Sequence, residues 1–249
     1  MMKTIYILWI RQIIRFWRSK PRLFGSLGQP LLFLLAFGFG FGPVFAQAGR
    51  GNYLSFLAPG VICQTIIFTS IFSGIEIIWD RQFGFLKETL VAPVSRLSIM
   101  AGRTLGGSTV AVFQGVIAFC LSLLVGFCPV NWWTVPLAFL IMIMTSLLFT
   151  AVGTAIASVM SDFHGFQIIM NLLVMPLYFL SGALFPLDNL PPVMKTITRL
   201  NPLTYCVDGL RGVLLGAGVF SLGFDLLVIF SVLMFFLFLG SYLFSKIQI

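Results

Sequence analysis

Long uncharged apolar runs alternate with short charged stretches along most of this chain. Five runs, at residues 23–49, 51–75, 104–161, 163–187 and 226–245, are long enough for the roughly 20 residues of a membrane-spanning helix. The third run of 58 residues would measure about 87 Å as one helix, whereas the hydrocarbon core is about 30 Å thick. We therefore predict a break at residues 128–133, where proline and asparagine favour a turn and paired tryptophans suit the headgroup level.

This pattern predicts an all-α integral membrane protein with six transmembrane helices. Residues 23–249 would form one membrane domain, preceded by a separate segment at residues 1–22. The predicted spans lie at about residues 24–45, 55–78, 105–127, 133–157, 165–186 and 224–245.

The first 22 residues predict an amphipathic helix that lies in the membrane interface. Arg11, Arg15, Arg18 and Arg22 recur at i, i+4, i+7 and i+11, and apolar side chains occupy the rest of the surface. Because each such cation is worth about 1 kcal/mol near anionic lipid, membrane lipids are expected partners of this helix.

Composition agrees with this class, and charge supplies an orientation. The chain is 59% hydrophobic and only 9% charged, with a mean hydropathy of +1.06. On the predicted topology, 11 lysines and arginines lie on the side of the termini and four on the other side. The positive-inside rule therefore places both termini and the 79–103 loop in the cytoplasm of a multi-pass plasma (inner) membrane protein. The net charge of +8 does not indicate nucleic-acid binding, since no predicted soluble domain carries it.

The sequence offers no catalytic residues and no metal site. A phosphate-binding P-loop needs a Gly-Lys pair, and none occurs. One histidine and four scattered cysteines lack metal-ligand spacing, so we expect the cysteines to be packing residues. The predicted spans carry only two acids, Glu76 and Asp225, both near a span end. For Glu76 a snorkelling or locally paired carboxylate is favoured over a proton relay.

The 79–103 loop concentrates charge between two apolar runs. Phe83, Leu86 and Leu90 fall at i, i+3 and i+7, which predicts a short helix with one apolar edge that exposes Lys87 and Glu88. This helix would end at residues 92–93, where Ala precedes Pro. Such an edge suits either the lipid surface or a groove on a partner protein.

The segment 181–218 predicts short helices that dip into the outer leaflet and return. Pro191 and Asn201-Pro202 supply helix start signals. Asp208 and Arg211, at i and i+3, can pair on one helix face, and two charges make a full crossing unfavourable.

Three glycine pairs have the G-x-x-x-G spacing that permits close helix approach. Since small residues are common in membrane helices, chance or packing within the chain explains them better than a dimer surface. The pairs are Gly38/Gly42, Gly102/Gly106 and Gly212/Gly216.

Taken in order, several motifs resemble the permease subunits of ABC transporters of the type-2 exporter class, which includes daunorubicin-resistance and nodulation-factor permeases. The resemblance covers nearly the whole chain, and the order and spacing of the motifs make it specific. They are Leu57-Ala58-Pro59-Gly60, Asp80-Arg81 with Gly84, residues 91–96 (VAPVSR), Pro176 with Ser181-Gly182 and Phe185-Pro186, Leu190-Pro191, Asn201-Pro202-Leu203-Thr204-Tyr205, and Asp208 with Arg211.

The resemblance implies a six-span permease that works as a dimer, most simply a homodimer, with two cytoplasmic ABC ATPase subunits. ATP and Mg would be used by those subunits, and this chain would bind no cofactor. A coupling helix in the 79–103 loop would contact the ATPase through Arg81, Gly84, Phe85, Leu86, Lys87, Glu88 and Leu90. A re-entrant pair would shape the exit through Pro191, Asn201, Pro202, Tyr205, Asp208 and Arg211.

The loop departs from the usual family pattern of Arg-Glu-x-Gly-Thr. It has Gln82, Phe85 and Lys87 where Glu, Thr and often another acid are expected. The loop is therefore more basic than the pattern, which bears on the shape of its ATPase contacts.

These inferences favour an ATP-driven exporter that moves an amphipathic drug-like, lipid-linked or glycan substrate out of the cytoplasm. An ion-coupled secondary transporter and a non-transporting membrane scaffold are the alternatives. The sequence shows no detectable inverted repeat and few acids in the spans, which argues against the secondary transporter.

Overall fold

A computed structural model describes residues 2–49, 51–85, 94–187 and 190–245, and within these ranges the regular structure is helical throughout. We number the α-helices in chain order, and one 3₁₀ turn, Trp132–Thr134, precedes α6. The helices are α1 Met2–Arg18, α2 Lys20–Gln47, α3 Tyr53–Phe72, α4 Ile75–Gln82, α5 Arg96–Val125, α6 Val135–Val159, α7 Phe163–Phe179, α8 Pro192–Leu200, α9 Pro202–Leu215 and α10 Leu222–Ser245.

The all-helical membrane class is confirmed. Within the described ranges, five segments are long and apolar enough to cross a membrane, namely Gly28–Gln47, Tyr53–Gln82, Arg96–Val125, Trp132–Val159 and Leu222–Leu243. The fifth predicted span corresponds to α7, which is apolar but only 17 residues long. The predicted break in the long third run is confirmed, because α5 ends at Val125 and α6 begins at Val135. Gly126, which follows α5, has the left-handed backbone conformation.

The α3–α4 segment occupies the centre of the helix bundle. Burial covers 83% of its most apolar window, against 17% for the corresponding windows of the first and last spans. The segment bends at Ser73–Gly74, a break that the predicted span 55–78 did not include, and α4 continues to Gln82. The charged end of α4 is thereby held against α1 and α5.

The third predicted span, 105–127, began too late. Helix α5 starts at Arg96, where Ser95 caps it by accepting a hydrogen bond from the Ser98 amide at 3.3 Å. Arg103 was assigned to the loop, but it lies inside this helix and is 2% exposed. The charge of Arg103 was expected to keep this residue out of the helix, but a buried carboxylate, described below, pairs with it.

The fifth predicted span, 165–186, ended too late. Helix α7 passes through Pro176 and stops at Phe179, and the chain then turns through Gly182, whose φ is +77°. Residues 181–184 are buried without helical structure. This irregular backbone is tolerated because side chains from other helices bind its carbonyls, as membrane burial requires.

Small residues set the distance between the central helices. A Cβ on Gly153 of α6 would clash with the Ile71 carbonyl oxygen, and a Cβ on Gly74 would clash with the Gly153 carbonyl oxygen. The hydroxyls of Ser108 and Ser146 hydrogen-bond at 2.7 Å between α5 and α6. Close backbone approach therefore holds α3, α5 and α6 together, as in other membrane helix pairs.

The N-terminal segment forms the helix α1, which packs on α5, and its place in the membrane interface stays a prediction. A Cβ on Gly102 would lie 2.9 Å from the Leu8 Cβ, and one on Gly106 would lie 2.9 Å from the Gln12 Cβ. This pair of glycines thus serves packing within the chain, the explanation favoured from the sequence. The helix ends at Arg18, four residues before the predicted limit at residue 22.

Gly153→Ala should destabilise the helix bundle, because the added methyl group meets backbone rather than a movable side chain. We expect a loss of about 1–3 kcal/mol in the free energy of unfolding, seen as a lower thermal midpoint of tryptophan fluorescence in detergent. Gly223→Ala is the matched control, since a Cβ there meets nothing within 4 Å. Equal midpoints for the two variants would contradict the close α3–α6 contact.

Candidate functional site

Asp80, on the last turn of α4, is the centre of a buried charge cluster. Its carboxylate is 3% exposed and accepts two hydrogen bonds from Arg11 of α1, at 2.9 and 2.8 Å. Arg103 of α5 donates a third at 2.7 Å. One carboxylate therefore joins three helices through short, charge-assisted bonds.

A second carboxylate extends this cluster toward the bend in α3–α4. Glu76, one turn before Asp80, lies 3.5 Å from the Arg15 guanidinium, and the same arginine lies 3.5 Å from Asp80. Glu76 is thus a locally paired carboxylate, one of the two readings favoured from the sequence. The assignment of the α1 arginines to lipid alone was incomplete, because two of them turn toward these acids.

The cluster is costly to break. Arg103 is 2% exposed, so removal of Asp80 would leave an uncompensated charge inside the protein. Breaking a buried pair from one side typically costs about 3–5 kcal/mol. The Asp80–Arg103 pair therefore constrains how far α4 and α5 can separate.

Arg81, one of the predicted coupling residues, binds the end of α6. Its guanidinium donates to the carbonyl oxygens of Met160 at 2.9 Å and Ser158 at 2.7 Å. Carbonyl groups at a helix C-terminus lack partners within the helix and attract cations. Another residue of α4, Trp79, contacts α7: its ring stacks on Phe163 with ring centroids 5.9 Å apart.

Two further predicted coupling residues, Gly84 and Phe85, follow shortly after the end of α4. Gly84 has a φ of +80°, a conformation that favours glycine, and it redirects the chain after α4. The ring of Phe85 lies under the Arg11 guanidinium, 3.7 Å from its carbon atom. The remaining predicted coupling residues, Leu86, Lys87, Glu88 and Leu90, lie outside the described residues.

The helices α8 and α9 form the pair predicted for the segment after the fifth span. Pro191 precedes the first turn of α8, and the Asn201 side chain caps α9 by accepting a hydrogen bond from the Leu203 amide at 3.0 Å. Pro202 occupies the first position of α9. Tyr205 donates its hydroxyl to the Arg199 carbonyl oxygen at 2.7 Å, which fixes the angle between the two helices.

Asp208 and Arg211 anchor the return of the chain at this end. The Asp208 carboxylate accepts hydrogen bonds from the Val219 and Phe220 amides at 2.8 Å each. Arg211 donates to the carbonyl oxygens of Phe56 at 3.2 Å and Gly182 at 3.1 Å. These two side chains satisfy backbone groups that lack regular partners, including the irregular segment after α7.

A cavity of about 660 Å³ opens beside the α8–α9 pair. Its lining mixes aromatic rings with three cations and one acid. The residues that define its chemistry are Phe45, Phe56, Lys195, Arg199, Asp208 and Arg211.

A smaller cavity, which we call the glutamine cavity, lies among α1, α2, α3 and α5 and measures about 190 Å³. Three glutamines and two threonines line it, together with four apolar residues. Gln64 and Gln114 are 2% and 1% exposed, and neither amide atom of Gln114 has a hydrogen-bond partner among the described residues. A buried amide without partners costs roughly 1–3 kcal/mol.

Neither the charge cluster nor the glutamine cavity was predicted as a site from the sequence. Asp80 and Arg103 were assigned to a loop, and only their burial shows that they belong together. Gln64 and Gln114 stand inside predicted spans, where a polar amide is a signal that could have been used. Among the residues described here, no group of three potential metal ligands comes together.

Several known proteins are similar to this chain. Nodulation protein J of Rhizobium leguminosarum bv. trifolii is 28% identical over 213 residues, which are 84% of this chain and 80% of that protein. The inner membrane transport permease YadH of Escherichia coli K12 is 28% identical over 233 residues, 90% of this chain and 89% of its own length. The ycf38 protein of Pyropia yezoensis, described as a transport permease, reaches 31% over 217 residues, 85% of this chain and 74% of that protein.

A family model extends this similarity to most of the chain. The model of the ABC-2 type transporter family matches residues 3–215. The matched region begins in α1 and ends at the last residue of α9, so it includes the charge cluster, the glutamine cavity and most of the lining of the larger cavity. The chain therefore belongs to the ABC-2 type transporter family of membrane permeases.

Proposed function

We propose that this chain is the six-span permease of an ATP-driven exporter, with α7 as its short fifth span. Two copies would assemble with two cytoplasmic ATPase subunits that use ATP and Mg. The termini would face the cytoplasm across the inner membrane. The cargo would be an amphipathic drug-like, lipid-linked or glycan molecule. Membership of the ABC-2 family supports the permease role, and the charge cluster supplies a route for coupling.

The charge cluster carries the proposal because it links α4 to α1 and α5, and the adjacent Arg81 links α4 to α6. Arg11 contacts both Asp80 and Phe85, so a displacement of the segment around Phe85 would also displace α1. Arg103 passes the same movement to α5, and Arg81 passes it to α6. Short ionic contacts in a buried setting resist separation, so these helices would move with the loop rather than past it.

Helix α6 connects the charge cluster to the opposite end of the protein. Its last turn accepts hydrogen bonds from Arg81, and its 25 residues span about 38 Å at 1.5 Å per residue. Beside its first turn, the Thr134 hydroxyl donates to the Val213 carbonyl oxygen of α9 at 2.7 Å. Movement of α6 would therefore displace the α8–α9 pair, which we propose shapes the exit.

Copurification with an ATPase tests the proposed function. We expect a P-loop ATPase to copurify with the tagged permease, and its ATP turnover in proteoliposomes to depend on the permease. Transport of an amphipathic cargo should stop when the catalytic site of that ATPase is inactivated. Ion-driven transport by the isolated chain, without any ATPase, would instead favour a secondary transporter.

Leu86→Asp should uncouple ATP hydrolysis from transport while membrane insertion stays intact. A charge on the predicted apolar edge would oppose seating against the ATPase, because it would have to be desolvated there. The measurement is transported cargo per ATP hydrolysed in the reconstituted complex. Gly84→Asp tests the same edge less cleanly, since Gly84 has a φ of +80° and any side chain adds backbone strain. Unchanged coupling in Leu86→Asp would argue against a buried contact.

Arg11→Ala should weaken coupling more than Arg18→Ala, although both change an arginine of α1 to alanine. Arg11 binds Asp80 and covers Phe85, whereas Arg18 is exposed. Coupling free energies of 1–3 kcal/mol correspond to about 5–150-fold changes, and we expect a loss in this range for Arg11→Ala. Permease-stimulated ATP turnover provides the readout, and equal effects of the two variants would exclude α1 from the route.

A further inference from the structure

The glutamine cavity has a polar lining at a depth where the bilayer favours apolar side chains. Gln114 lies 11 residues beyond Arg103 in α5, about 16 Å deeper along the helix axis. Gln64 lies mid-way along α3, eight residues before its end. Both glutamines therefore sit well inside their spans rather than at a membrane interface.

Three glutamines, Gln29, Gln64 and Gln114, contribute to the wall of the cavity. Gln114 is 99% buried, yet its amide nitrogen and oxygen both lack partners among the described residues. Packing alone does not explain this side chain, because leucine has a similar volume and no polar atoms to satisfy. An amide kept unpaired in a cavity is suited to a ligand that donates and accepts hydrogen bonds.

The rest of the lining restricts the chemistry of that ligand. Among the side chains that the structure describes, no lysine, arginine, aspartate or glutamate lines the cavity, so these residues offer no ionic partner to a charged group. Glutamine and threonine side chains can donate and accept, and the phenylalanines provide apolar walls. The described residues that line the cavity are Phe16, Gln29, Pro30, Gln64, Thr65, Phe68, Thr69, Phe72 and Gln114.

We propose that the glutamine cavity binds the uncharged, hydroxyl-bearing headgroup of an amphiphile. Exposed Gln29 of α2 would receive the headgroup at the mouth, and buried Gln64 and Gln114 would hold it inside. Phe16 and Phe72 would contact the adjoining apolar part of the molecule. The amphiphile is either the cargo or a lipid of the bilayer, and the same chemistry recognises both.

The position of the cavity gives the site a connection to coupling, and this part rests on the proposed function. Phe16 belongs to α1, the helix that holds Asp80 through Arg11. Thr69 and Phe72 lie in the last turn of α3, immediately before the bend at Ser73–Gly74. A bound headgroup would therefore contact α1, which carries Arg11, and the end of α3 that leads into α4, which carries Asp80.

Photolabelling of the full-length permease in nanodiscs tests the site. The probes are two diacyl lipids with the same chains and a diazirine next to the headgroup, one bearing a glucosyl headgroup and the other a phosphoglycerol. We expect the glucosyl lipid to label peptides of α3 or α5 at the cavity. Gln114→Leu should reduce this labelling about tenfold, the effect of a loss near 1.4 kcal/mol.

Gln167→Leu is the matched control, because Gln167 is exposed on α7 and lies outside the cavity. Its labelling should equal that of the unchanged protein. Gln114→Leu should also keep or raise the thermal midpoint, since it removes an unpaired buried amide. Reduced labelling in a stable protein would therefore report the site rather than misfolding. If Gln114→Leu does not fold, Gln64→Leu provides the same labelling test.

Equal labelling by the two lipids, or no labelling at the cavity, would overturn the proposal. Loss of the glucosyl label during ATP turnover in the reconstituted complex identifies cargo, whereas an unchanged label identifies a resident lipid, and both results support the site. Failure of the proposed function is distinct. It would appear as the absence of a coupled ATPase while the permease alone still takes the glucosyl label.

Discussion

The contact between Asp80 and Arg103 is the interaction on which the charged end of this protein depends. Each side chain is almost fully buried, and the charge of Arg103 would be left uncompensated without Asp80. Arg11 donates two further hydrogen bonds to the carboxylate and so adds an ionic contact with α4 to the packing of α1 on α5. One acid at the end of α4 thus ties that helix to both α1 and α5.

At the opposite end, buried backbone groups outside regular helices need hydrogen-bond partners, and side chains from other helices provide them. The chain leaves helical geometry after Phe179, and Arg211 and Tyr53 supply donors to the carbonyl oxygens of Gly182 and Leu184. Asp208 does the converse for two amides beyond α9. These long-range contacts allow short helices and irregular turns at a depth where exposed backbone would be unfavourable.

Local signals in the sequence predicted the elements, and long-range contacts explain where prediction failed. Asn201 and Pro191 marked the starts of α9 and α8 because capping chemistry acts within one turn. Arg103 was assigned to a loop because its partner lies on another helix, and hydropathy cannot detect a charge that a neighbour neutralises. The coupling role of Arg81, Gly84 and Phe85, like the exit role of the α8–α9 pair, came from resemblance and stays a prediction.

The bonds at the two ends of α6 have a thermodynamic consequence for the proposed complex. Arg81 holds one end and the Val213 carbonyl holds the Thr134 hydroxyl beside the other, so both sides of the membrane bias a single rigid element. Binding free energies coupled through one element are reciprocal. A molecule bound beside α9 would change the affinity of the ATPase for nucleotide by a certain factor. Bound nucleotide would change the affinity of the permease for that molecule by the same factor. Release of cargo beside α9 would then change nucleotide affinity at the ATPase through α6.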